Sequence, residues 1–170
     1  VNLKKALVAR DPKSSIIDGI IGIDFGTKST VVAYQENNTD IHLMRVGITD
    51  HTKAPEIYHY ENPTIIEFNN ILQFLKDYKS SDGRPLTKWR DLTISHTAAS
   101  SLNNSKSNDF NTFLSELKQW AGTKGKKLKI KDKKDFVLDI DAFLDIKEED
   151  FNPIEIYAYI LGLNINNQRN

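Results

Sequence analysis

The chain contains no cysteine. That excludes disulfide bridges, thiolate metal centres and cysteine nucleophiles, and it fits a reducing compartment. An excess of one charge is also missing. Lys plus Arg and Asp plus Glu each total 23, so no net field draws the molecule to nucleic acid or anionic lipid. No apolar run approaches the roughly 20 residues that span a bilayer. Val1–Ser15 carries Lys4, Lys5, Arg10 and Lys13 but no apolar stretch of signal-peptide length. The histidines His42, His51, His59 and His96 include no pair at helical metal-ligand spacing, which argues against zinc. What remains is 170 residues, 39% hydrophobic and 27% charged, enough for one ordinary domain with a core. The expected location is cytoplasmic, without nucleic-acid or membrane partners. Because Val1 stands first instead of Met, a processed or excised piece is expected.

Ile16–Phe25 (IIDGIIGIDF) is almost continuously apolar and bounded by turn residues, which predicts a strand buried on both faces. Gly26, Thr27 and Lys28 lead into the β-branched run Ser29–Tyr34, making a hairpin. Ile41–Val46 supplies a third strand, so the first third reads as a three-stranded antiparallel meander. Pro63–Phe68 is a short strand with Pro where a missing N–H is tolerated. Lys79–Pro85 reads as a loop, Asp91–Ser95 as a strand, and His96–Ser101 as the opening of a helix. Phe110, Phe113, Leu114, Leu117, Trp120 and Ala121 recur at spacings of three and four. They predict a helix capped by Ser107 or Asn108 and ended by Gly122. Lys127–Lys131 and Phe136–Ile140 predict a hairpin around Asp132–Lys133–Lys134. At the end, Asn152, Pro153 and Glu155 predict an N-cap, a first-turn proline and a capping-box carboxylate. The helix they start is apolar nearly all round, so it needs burial on more than one side.

One motif carries chemistry. In Gly22–Thr30 (GIDFGTKST) an aspartate ends an apolar strand two residues before Gly26, a residue able to take positive φ. Such a turn offers backbone N–H groups to an anion. Thr27, Ser29 and Thr30 add hydroxyls and Lys28 adds a point charge. An aspartate beside a phosphate cradle can hold Mg²⁺ or its waters. The glycine turn leads to a strand and not a helix, so this is neither a Walker loop nor a dinucleotide fingerprint. The bland alternative is a tight turn between two core strands.

Gly22–Tyr34 (GIDFGTKSTVVAY) resembles the first phosphate motif of the DnaK-type heat shock protein 70 family, within the actin-like ATPase superfamily. Pro63–Phe68 resembles that family's Pro-Ser-x-x-x-Phe strand, and Phe151–Ile156 its Phe-x-Pro-Glu-Glu-Ile helix opening. The resemblance implies an α/β fold: a ribonuclease-H-like lobe fragment with a β-meander and an inserted α+β subdomain. Residues 1–15 would be an extension, 16–49 and 150–170 an incomplete core subdomain, and 50–149 the insertion. It implies ATP or ADP with Mg²⁺ in the intact parent. Asp24 would be the catalytic carboxylate, near the metal and its waters, and Gly26, Thr27, Lys28 and Ser29 would lie at the phosphates. The implied partners are the rest of a nucleotide-binding domain and a peptide-binding domain.

Two departures from the family stand out. Lys28 replaces a second threonine, and Ser100 in His96–Ser100 stands where the family has a catalytic lysine. A second Asp-Gly-Gly-Gly-Thr type loop is absent, so the isolated chain is expected to be catalytically silent. Two rivals remain: a sugar or acetate kinase fragment of the same superfamily, and an interaction module that has lost nucleotide chemistry. The lysine cluster from Lys124 to Lys134 reads as a solvated hairpin balanced by Glu148, Glu149 and Asp150. An unpaired edge on the first strand would invite dimerisation or strand addition.

Overall fold

The computed structural model describes residues 16, 18–37, 40–50, 52, 54–80, 85–122, 126–142 and 152–168. They form a mixed α/β fold of antiparallel sheets and helices. The first sheet contains β1 (Gly19–Phe25), β2 (Ser29–Glu36) and β3 (His42–Met44), the expected meander. A two-residue strand, β4 (Asn62–Pro63), pairs with Ser29 and Thr30 at the turn end of β2. Thr64 then carries the chain into a second sheet, where β5 (Ile65–Phe68) lies between β6 (Leu92–Ile94) and β7 (Phe113–Ser115). The expected single strand Pro63–Phe68 is therefore two strands, divided at Thr64 between two sheets. A third sheet is the predicted hairpin of β8 (Lys126–Lys131) and β9 (Val137–Ala142). Its register sets Lys129 opposite Asp139, so opposite charges face each other across the ladder. Glu148, Glu149 and Asp150, the expected balance for these lysines, lie outside the described residues.

The helices are α1 (Ile71–Lys79), α2 (Ser95–Asn103), α3 (Leu117–Gly122) and α4 (Pro153–Gln168). The α4 helix starts as its cap chemistry requires: Asn152 Oδ1 accepts the N–H of Ile154 at 3.0 Å and of Glu155 at 3.2 Å. Glu155, however, is engaged elsewhere. Its carboxylate accepts the Tyr78 hydroxyl at 2.5 Å. Burial and this bond push the Tyr78 phenol up to about 12. Ile156, Tyr157, Ile160, Leu161 and Ile165 are buried, and Ile154, Tyr159 and Leu163 pack partly against the same core. That core also takes in Val32 and Met44 of the meander, Ile66 and Phe68 of β5, Phe74 of α1, and Ile130 and Ile140 of the hairpin. Glu67 is buried on β5 but not stranded. It accepts the hydroxyls of Thr93 and Ser101 and the Lys133 ammonium, which joins β6, α2 and the β8–β9 turn to the central strand.

Two expectations are corrected. The helix expected from Phe110 to Ala121 is instead a 3-10 turn (Ser107–Thr112), then β7, then α3. Phe113 and Leu114 pair with Glu67 and Ile66 across the β5 ladder, and Glu116, at φ 56, breaks the chain direction before Leu117 and Trp120 enter the core. An open strand edge outcompetes a helical period that Asn111, Thr112 and Ser115 support poorly. Neither Ser107 nor Asn108 caps it; Lys106 precedes the turn, with no side-chain cap bond. The second correction concerns β1, expected to be buried on both faces. Among the described residues it pairs only with β2, and Ile20, Ile21 and Ile23 are 69%, 39% and 50% exposed.

Candidate functional site

The β1–β2 register pairs Phe25 with Thr30 and leaves Gly26–Ser29 as the turn. Gly26 N–H donates to the Ser29 carbonyl at 3.0 Å, closing it. Gly26 does not take positive φ; among the described glycines that conformation belongs to Gly47, at φ 69. The requirement for glycine is one of approach. A Cβ on Gly26 would stand 2.4 Å from the Ser29 carbonyl oxygen.

Thr64 holds the turn from outside. Its N–H donates to the Lys28 carbonyl at 2.9 Å and its hydroxyl to the Gly26 carbonyl at 3.1 Å. Those bonds use the turn's carbonyls, while the N–H groups of Thr27 and Lys28 make no hydrogen bond among the described residues. A turn with its carbonyls tied back and its amides open suits an anion.

Antiparallel partners share a face, so Ile21, Ile23 and Phe25 lie on the α4 side with Tyr34, Val32 and Thr30. Asp24, opposite Val31, projects from the other face and is exposed, as is Lys28. A single exposed carboxylate suits a Mg²⁺ ion held through water; among the described residues no group of three His, Asp or Glu gathers to ligate a metal directly. The sequence-predicted residues Asp24, Gly26, Thr27, Lys28 and Ser29 thus lie together, along one strand end and its turn.

Ser100 is not brought to them. It lines a pocket between α2 and the loop Gly47–Asp50 with His96, Thr97 and Asn104, and none of Asp24–Ser29 borders that pocket. There Nε2–H of His96 donates to the His59 carbonyl at 2.8 Å, and burial holds its pKa below the usual histidine range.

Three contributors were missed. Thr64 was read only as part of a strand. Lys118, from α3, donates its ammonium to the Phe25 carbonyl at 3.5 Å and so brings a second cation to the turn. Tyr157, fully buried on α4, donates its hydroxyl to Thr30 Oγ1 at 3.3 Å and sets its ring 5.6 Å from that of Phe25. The Pro63–Phe68 motif was a signal for Thr64; no local pattern points to Lys118 or Tyr157.

No protein-family model matches this chain, and no curated protein or solved structure shows significant similarity to it. Among the described residues no helix is long and apolar enough to cross a membrane.

Proposed function

We propose that the chain is the first lobe, in part, of the nucleotide-binding domain of a divergent heat-shock-chaperone-like ATPase, and that its β1–β2 turn receives the phosphates of Mg·ATP. The observation that carries this reading is the turn itself. The carbonyls of Gly26 and Lys28 are bound by Thr64, the amides of Thr27 and Lys28 are open among the described residues, and Asp24 stands near the end of the adjoining strand. Topology is consistent with this reading: an antiparallel meander, a separate α+β region and a helix returning to the meander's Thr30–Val32 face are elements that a ribonuclease-H-like lobe would require. Asp24 would orient Mg²⁺ through its waters, Gly26 would let the backbone turn close, Thr27 and Lys28 would bind phosphate oxygens, and Ser29 would add a hydroxyl. The charge that Ser100 does not supply would come from Lys28 and Lys118. The same reading places the protein in the cytoplasm, with a second lobe and a peptide-binding domain as partners and the open edge of β1 taking a strand from outside this chain. Alone, the chain supplies too few contacts to offset the cost of immobilising a nucleotide.

Calorimetric titration of Mg·ATP and Mg·ADP into this chain and into the longest natural protein containing it tests the reading. Binding by the longer protein that weakens at least tenfold in Asp24→Asn and in Lys28→Ala is expected. A folded longer protein without measurable binding would leave a nucleotide-free interaction module, the reading favoured by the position of Ser100 in a separate pocket.

A further inference from the structure

Tyr157, Thr30 and Thr64 are 0%, 0% and 2% exposed, and their hydroxyls form a continuous chain that ends on the turn. Tyr157 donates to Thr30 Oγ1 at 3.3 Å, Thr30 and Thr64 hydroxyls are 2.9 Å apart, and Thr64 donates to the Gly26 carbonyl at 3.1 Å. Counting protons settles the direction. A hydroxyl has one hydrogen, and Thr64 has given its own to Gly26. Thr30 must therefore donate to Thr64, and Tyr157 must donate to Thr30. All three bonds run one way, from helix α4 to the carbonyl of the glycine that closes the turn, and each polarises the next among buried side chains. The phenol stays protonated as the chain requires, since burial raises its pKa above the usual tyrosine value.

We propose that Tyr157, Thr30 and Thr64 are positioning residues that couple helix α4 to the phosphate turn, so that the seating of α4 sets the shape of Gly26–Ser29 and occupancy of the turn biases α4. The part concerning occupancy rests on the phosphate reading; the coupling itself does not. Each end is suited to its task. Tyr157 has a second hold on β1 through its ring contact with Phe25, the residue before the turn. Thr64 grips the turn at both Gly26 and Lys28. A displacement of α4 that lengthens the 3.3 Å bond leaves Thr30 Oγ1 without its donor and removes the polarisation that strengthens the Thr30–Thr64 and Thr64–Gly26 bonds. The hold on Gly26 is then weakened, and the turn leans more on the Thr64 amide at Lys28.

The test uses Tyr157→Phe, which keeps the ring, Thr64→Val, which keeps the shape, and Thr64→Ser, which keeps the hydroxyl. Amide NMR and hydrogen exchange are recorded on the chain without nucleotide. Expected in Tyr157→Phe and Thr64→Val are amide shifts confined to Gly26–Thr30, Thr64 and Tyr157, with roughly tenfold faster exchange at the hydrogen-bonded Gly26 amide. Thr64→Ser should resemble the parent, and β8–β9 should be unchanged in all. Unaltered Gly26–Ser29 amides in Tyr157→Phe, or shifts scattered evenly through the molecule, would overturn the coupling. In the second arm, Mg·ADP is titrated into the longest natural protein carrying each variant, with a threefold to tenfold loss expected for Tyr157→Phe and Thr64→Val and recovery in Thr64→Ser. Absence of nucleotide binding by the parent would overturn the occupancy clause and the phosphate reading, while the first arm would still decide the coupling.

Discussion

The carboxylate of Asp132 closes the first turn of α1 from 61 positions away: Ile71 N–H donates to its Oδ2 at 2.8 Å. Its other oxygen accepts the N–H groups of Lys134 and Phe136 at 2.8 Å and 3.0 Å, so one buried side chain fixes both the β8–β9 turn and a helix start. Removing it strands three donors. Asp132→Ala is expected to lower unfolding free energy by about 3 kcal/mol, read from urea denaturation, with Asp132→Asn losing less. A loss below about 1 kcal/mol in the alanine variant would mean that water replaces the carboxylate without penalty.

Gly22 and Gly26 of the hairpin should behave oppositely. A side chain on Gly26 meets the Ser29 carbonyl, whereas one on Gly22 meets nothing within 4 Å. Gly26→Ala is expected to cost roughly 2 kcal/mol and to displace the turn amides. Gly22→Ala should be neutral or gain up to about 1 kcal/mol, since alanine loses less chain entropy in a strand. Equal midpoints in thermal unfolding would refute the close-approach argument.

His96 has its pKa lowered first by burial; the His59 carbonyl opposes the shift, and the charges of His59 and Arg45 add to it. The folded state thus binds the proton less readily than the unfolded chain. Its contribution to stability is complete above the unfolded value of about 6.5 and is lost as pH falls through the lower folded value. Stability measured from pH 7.5 to 5 should therefore decline, and His96→Gln should flatten the decline. An unchanged slope in the variant would remove His96 from the account.

The edge of β1 bears no proline or lysine, only Asp24 among seven residues. Its exposed isoleucines predict strand addition, which in the purified chain means self-association. Sedimentation velocity across a hundredfold concentration range should reveal it, and Ile23→Lys should suppress it several-fold. A monomer throughout would show that the edge is tolerated as it stands.

Local chemistry made the meander and α4 legible. A glycine turn between apolar runs and an Asn-Pro start with its cap depend on residues a few positions apart. Asp24 and the Gly26 turn were legible for the same reason. β7 was not, because its pairing partner Ile66 lies far back in the chain and no period in Phe110–Ala121 encodes it. The exposure of β1 was misread because an apolar run states what a strand prefers, while its neighbours decide what it receives. Thr64, Lys118 and Tyr157 reach the turn only through tertiary folding, so the support of the candidate site was invisible where its loop was not.

Asn62, fully buried, offers its amide hydrogens to the carbonyls of Thr30, Met44 and Tyr60, and its Oδ1 accepts the Val46 N–H at 2.6 Å. One side chain thereby mimics a peptide unit, tying β4 to β2 and to the end of β3. Aspartate keeps the acceptor and loses the donors, leucine keeps the volume and loses both, and glutamine is one methylene too long for the same reach. In a saturation library at this position, asparagine should be the sole survivor, a stringency ordinarily found at catalytic centres and imposed here by backbone bookkeeping alone.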